Sequence, residues 1–175
     1  GEYGELNILK ISGTNSINTV TITSNDGNPE SVVFKEVSNG HALFLYQASN
    51  LVFDRVTFDA SGMGTGKTVS FMGLNSNIVF TGCHLKANRT TTDPASAVVY
   101  YSNSSGLTSY LEDITFINNK IDGGYHNIYL SYTSGTAAVM ARRKGVTIEN
   151  NELTNAHYYG IYSHYHGYYP SISYN

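Results

Sequence analysis

Four stretches of the chain superpose without a gap: Asn50 to Ala60 (NLVFDRVTFDA), Asn77 to Ala87 (NIVFTGCHLKA), Asp113 to Gly123 (DITFINNKIDG) and Gly145 to Asn155 (GVTIENNELTN). Each carries apolar residues at its second, fourth and ninth positions, and successive copies begin 27, 36 and 32 residues apart. A degenerate fifth copy, PSISYN, begins at Pro170. Period-two alternation repeated at this length is the mark of a β-solenoid, in which each repeat is one coil that buries its face only against its neighbours.

Alternate side chains of a strand share a face. That rule puts Leu51, Ile78, Ile114, Val146 and Ile172 in one inward column and Phe53, Phe80, Phe116, Ile148 and Tyr174 in a second. Two residues then turn a corner. The chain re-enters the core with Val56, Cys83, Asn119 or Asn151, followed by Phe58, Leu85, Ile121 or Leu153. Upstream of each copy lies another short β-rich run: ALFLY from Ala42, TVSFM from Thr68, AVVYY from Ala97, NIYLS from Asn127 and GIYSH from Gly160. Three strands per coil follow. Val20, Ile22, Val32, Val33 and Phe34 read as an earlier, less regular coil.

The run from Val32 to Ala60 (VVFKEVSNGHALFLYQASNLVFDRVTFDA) and the NNKI and NNEL steps at Asn118 and Asn150 resemble right-handed parallel β-helix proteins of the pectate-lyase-like superfamily. The resemblance spans most of the chain. It implies an all-β fold: a right-handed single-stranded parallel β-helix, a solenoid of three sheets and about five to six coils, with residues 1–175 forming one segment. It also implies an asparagine ladder of stacked amides at Asn119 and Asn151. Val56 and Cys83 hold that position in the first two copies, so two rungs are expected. Export, to the cell surface or beyond it, is a further implication.

At 175 residues, 41% hydrophobic and 13% charged, the chain can bury one domain's core. A net charge of −3 with no run of like charges argues against a nucleic-acid partner. No stretch is long and apolar enough to span a membrane. The opening Gly1-Glu2-Tyr3 and a last strand that stops at Tyr174 suggest a fragment of a longer protein. Cys83, the lone cysteine, reads as a small buried hydrophobe. Ser61 to Thr68 (SGMGTGKT) nearly spells a phosphate loop, but the alternating VSFM that follows is a strand. Phosphate binding of that kind needs a helix N-terminus there. His164 and His166 share a strand face without a third ligand at suitable spacing, so neither a metal nor another cofactor is expected.

In the family that the chain resembles, the polysaccharide groove lies on the outer face of the first sheet. Alternation assigns to that face Phe44, Ser70, Val99, Tyr129 and Tyr162 in one column and Tyr46, Met72, Tyr101, Ser131 and His164 in the next. The face is aromatic and carries no carboxylate, whereas glycosidases need paired acids and calcium-dependent lyases need several. Asp54, Asp59, Asp122, Glu149 and Glu152 fall on other faces, as solvent-facing charges. The expected activity is binding of a polysaccharide or glycan, with Tyr101, Tyr129, Tyr162, His164, His126 and Arg142 as contacts. Two alternatives stay open. One is a metal-free lyase or epimerase that uses a Tyr or His base with Arg142 or Arg143 as the cation. The other is a structural stalk or adhesin segment.

Overall fold

The computed structural model of the chain describes residues 1–15, 17–37, 40–103, 109–132, 144–164 and 171–175. Their strands form three parallel six-stranded sheets wound as a right-handed parallel β-helix. The first sheet contains β2 (Leu6–Ile8), β5 (His41–Tyr46), β8 (Lys67–Met72), β11 (Ala97–Asn103), β14 (His126–Tyr132) and β17 (Tyr159–His164). The second contains β3 (Val20–Thr23), β6 (Ser49–Asp54), β9 (Asn75–Thr81), β12 (Leu111–Ile117), β15 (Lys144–Glu149) and β18 (Ser171–Ser173). The third contains β1 (Glu2–Tyr3), β4 (Val33–Lys35), β7 (Thr57–Ala60), β10 (His84–Ala87), β13 (Lys120–Asp122) and β16 (Glu152–Thr154). Each strand pairs with those one coil before and after it, so every connection within a sheet is a parallel crossover.

The repeat translates directly into register. Leu51, Ile78, Ile114 and Val146 align across four coils, as do Phe53, Phe80, Phe116 and Ile148. Ring centroids of Phe53 and Phe80 stand 4.8 Å apart and those of Phe80 and Phe116 4.9 Å, the spacing of neighbouring strands. Phe34, Phe58, Leu85, Ile121 and Leu153 line up along the third sheet. Val20 and Ile22 extend the second sheet's two columns by one coil.

The fifth copy sits two residues from its expected register. Ile172 pairs with Ile148, while Tyr174, expected inside, is 88% exposed. A shift of two residues leaves every side chain on the same face, so alternation over so short a strand cannot detect it. The corner decides. Tyr174 falls in a column with Arg55, Gly82, Asn118 and Asn150, all left-handed at φ between 51° and 62°. This conformation turns the chain from the second sheet into the third.

The residue after each corner faces the core, and there the amide ladder forms. Asn119 Nδ2 donates to Phe80 O at 3.0 Å and to Asn151 Oδ1 at 2.9 Å, while Asn119 Oδ1 accepts from Cys83 N–H at 2.9 Å. Asn151 Nδ2 donates to Phe116 O and to Asn175 Oδ1, both at 3.0 Å, and Asn175 Nδ2 donates to Ile148 O at 2.9 Å. The ladder therefore has three rungs rather than the expected two, because Asn175 completes it once the fifth copy is placed correctly. Cys83 continues the same pattern one coil earlier, with its Sγ directed at Phe53 O, 3.3 Å away.

Burial pushes the Cys83 thiol up to about 11, so almost none of it is thiolate at neutral pH. Thiol-exchange reagents such as dithiobisnitrobenzoate are expected to label the denatured chain promptly and the folded chain only slowly. Equal rates in the two states would show that this corner is open to solvent.

Candidate functional site

The outer face of the first sheet carries the column Phe44, Ser70, Tyr100, Tyr129 and Tyr162. Tyr46 and Met72 pair beside it, and so do Ser102, Ser131 and His164. In the third copy the expected alternation is off by one residue: Val99 and Tyr101 are fully buried, and Tyr100 and Ser102 hold the outward positions. Tyr101 packs against Tyr132 at 4.8 Å inside the helix, with its hydroxyl 3.1 Å from Ser109 Oγ. It is a core residue and not a surface contact.

The outward rings form an ordered stack. Tyr100 and Tyr129 lie 5.3 Å apart with planes 8° from parallel, and Tyr129 and Tyr162 lie 5.0 Å apart at 7°. The residues that open the strands, His41, Lys67, Ala97, His126 and Tyr159, form one register row. Several of them fold onto this face. His41 stacks on Phe44 at 4.9 Å, Lys67 Nζ sits 4.4 Å from the Tyr100 centroid, and His126 lies 5.2 Å from Tyr129 and 5.7 Å from Tyr162. Tyr125, Tyr158 and Tyr159 continue the aromatic wall, with Tyr125 and Tyr158 at 5.4 Å and Tyr158 and Tyr159 at 4.3 Å.

Among the expected contacts, Tyr129, Tyr162, His126 and His164 are brought together, His164 lying 6.1 Å from Tyr162. Arg142 lies outside the described residues, as do Arg143 and His166. His126 is only 5% exposed, and its Nδ1 is buried without a hydrogen-bond partner. Burial holds its pKa below the usual imidazole value, so the ring is neutral at physiological pH and serves as packing for the tyrosines. Tyr100, Lys67 and His41 belong to the face and were not anticipated. Alignment of Val98 to Ser102 with Asn127 to Ser131, in place of the run from Ala97, is the signal that finds Tyr100.

A cleft of about 390 Å³ opens beside the stack. Phe44, Ser70 and Tyr100 line it together with Tyr46, Met72, Ser102, Asn103 and Ser109. The last two are pinned: Asn103 Nδ2 donates to Ser109 O at 2.7 Å, and Ser109 Oγ donates to Gly73 O at 3.1 Å. None of the outward residues of the first sheet named here is a carboxylate. No group of three or more His, Cys, Asp or Glu able to hold a metal occurs among the described residues. Lys67 and Thr68 of the phosphate-loop lookalike open strand β8, and no helix follows.

A second cavity, about 400 Å³, lies outside the third sheet between Ser61, His84, Lys86, Arg89 and Asp122. Its charges are paired with one another or with Glu30. Arg89 Nε donates to Asp122 at 2.8 Å, Lys86 Nζ reaches Glu30 at 3.0 Å, and His84 Nδ1 lies 2.6 Å from Glu30. Asp122, expected as a solvent-facing charge, is only 2% exposed. Burial by itself would raise its pKa. Hydrogen bonds from Asn155, Arg89 and Thr154 outweigh that and hold the carboxyl below its usual range. This cluster ties the Arg89 loop to the third sheet.

No helix among the described residues is long and apolar enough to cross a membrane. Comparison with protein-family models, with curated proteins and with solved structures finds no match.

Proposed function

We propose that the chain is an exported carbohydrate-binding β-helix domain of the pectate-lyase-like kind, and that it holds polysaccharide on the outer face of its first sheet. The observation that carries this reading is the parallel stack of Tyr100, Tyr129 and Tyr162 alongside an open, half-polar cleft. Phenol side chains combine an apolar ring with a hydrogen-bonding tip, which suits sugars. Rings already locked by their neighbours lose little side-chain freedom when a ligand arrives. Tyr129 has both faces covered by other tyrosines. A glycan lying along the helix axis would therefore meet ring edges and hydroxyls at intervals of about 5 Å, the coil spacing.

A glycan array probed with wild type, Tyr129→Ala and Tyr162→Ala tests the proposal. The expected result is binding by wild type that survives a calcium chelator and falls roughly tenfold or more in each variant, about 1.4 kcal/mol. Binding to no glycan would favour a structural stalk or adhesin. Release of unsaturated products from a uronate polymer would favour the lyase.

A further inference from the structure

The outward column reads Phe44, Ser70, Tyr100, Tyr129, Tyr162, so one rung lacks a ring. Two coil steps of about 4.8 Å put Phe44 and Tyr100 about 9.6 Å apart, and the strand between them offers no ring, only the Ser70 hydroxymethyl and the Lys67 side chain, whose Nζ lies 4.4 Å from the Tyr100 centroid. A flat ring placed midway would stand about 4.8 Å from each neighbour, again the coil spacing. The intact rungs show that this distance is a good one: Tyr129 and Tyr162 stack at 5.0 Å and Phe80 and Phe116 at 4.9 Å. The vacant rung opens into the 390 Å³ cleft, which both rings line together with Ser70, Ser102 and Asn103.

We infer that this gap is a binding slot for a single pyranose residue, sandwiched between Phe44 and Tyr100, with its hydroxyls bonded by the Ser70 and Ser102 side chains. The inference rests on the carbohydrate reading above and gives it a specific subsite. A pyranose offers two C–H faces to the aromatic rings and a rim of hydroxyls to the polar lining, whereas a purely apolar guest would leave Ser70 and Ser102 facing it unmatched. Tyr129 covers one face of Tyr100, and Lys67, from the same strand as Ser70, lies over the ring at 4.4 Å. Lys67 and Tyr100 are both half-buried, and a guest that displaces this cation–π contact gains the ammonium as a donor at its rim.

The geometry also selects how the sugar enters. Tyrosine planes separated by one coil step and nearly parallel lie across the helix axis, and a sandwiched guest must do the same. The mean ring plane of a linear polysaccharide contains the chain direction. A polymer laid along the axis therefore cannot insert a ring, but a chain end or a branch residue pointing inward from solvent can. The slot is a site for terminal or branching pyranoses.

Nuclear magnetic resonance titration of the chain with methyl β-glucopyranoside, methyl β-galactopyranoside and methyl α-mannopyranoside tests this. At least one glycoside is expected to shift the Phe44 and Tyr100 ring signals and the Ser70 amide saturably. Ser70→Tyr supplies the missing rung and is expected to abolish those shifts, whereas Ser70→Ala keeps them. Should Ser70→Tyr fail to fold, Tyr100→Ala removes one wall without adding bulk and is expected to abolish them too. No shift with any of the three glycosides, or unchanged binding by a folded Ser70→Tyr, overturns the slot. Absence of those shifts in a protein whose glycan-array binding is intact in wild type and lost in Tyr129→Ala would overturn the slot alone and leave the wider carbohydrate face standing.

Discussion

Replacement of Asn119 by Leu is expected to lower the melting temperature by roughly 10 °C, at a few degrees per kcal/mol for a domain of this size. Leu fills nearly the same volume, so no cavity opens and the loss is one of hydrogen bonds. Asn119 is buried and uses both ends of its amide, accepting from Cys83 N–H and donating to Phe80 O and Asn151 Oδ1. Leu strands the Cys83 amide and the Phe80 carbonyl, at about 1–3 kcal/mol for each buried group left unpaired. Asn175→Ala is the internal control. Its side chain makes the same kind of bonds at the exposed end of the ladder, where water can replace them. Thermal melts followed by circular dichroism should rank Asn119→Leu well below Asn175→Ala. If both melt within about 2 °C of wild type, a shift worth less than about 1 kcal/mol, the amides do not hold the corner.

The fold could be read because one period-two pattern recurs in several copies, and only a stack of parallel strands lets Leu51, Ile78, Ile114 and Val146 share a column. Its failures have physical causes. Val98 to Tyr101 is apolar and aromatic throughout, so alternation gives no phase there, and a slip of one residue exchanges the two faces. That is why Tyr101 stood where Tyr100 belongs. Asn175 was missed for the opposite reason, since a slip of two preserves the faces and only the left-handed corner at Tyr174 fixes the register. The strand-opening row escaped because alternation breaks near the start of the strand. Ala42 is buried, yet His41 stacks with outward-facing Phe44. Asp122 depends on Arg89, 33 residues earlier, whose loop folds back over the third sheet. No repeat pattern encodes such a contact. The aromatic character of the candidate face was legible, and the empty rung at Ser70 became visible only after the columns were in register.

Phe80→Ala is expected to cost about 3–5 kcal/mol, a large part of the roughly 5–15 kcal/mol that a typical domain has in total. Phe80 is fully buried where the three sheets meet. It stacks between Phe53 and Phe116 of the second sheet and meets Phe58 of the third and Phe71 of the first edge-on, at 6.5 and 6.4 Å. The coils above and below are held at the strand spacing by their own backbone hydrogen bonds, so they cannot close over the void. In a solenoid each coil draws its stability from its neighbours, and a hole at a central coil weakens the coupling on both sides. Urea unfolding followed by tyrosine fluorescence, the natural probe in a chain with 15 Tyr and no Trp, is expected to show an earlier and broader transition for Phe80→Ala. Phe80→Leu keeps most of the volume and should lose far less. A Phe80→Ala protein within about 1 kcal/mol of wild type would mean that the coils repack locally, and that the aromatic column is not the axis on which the helix is built.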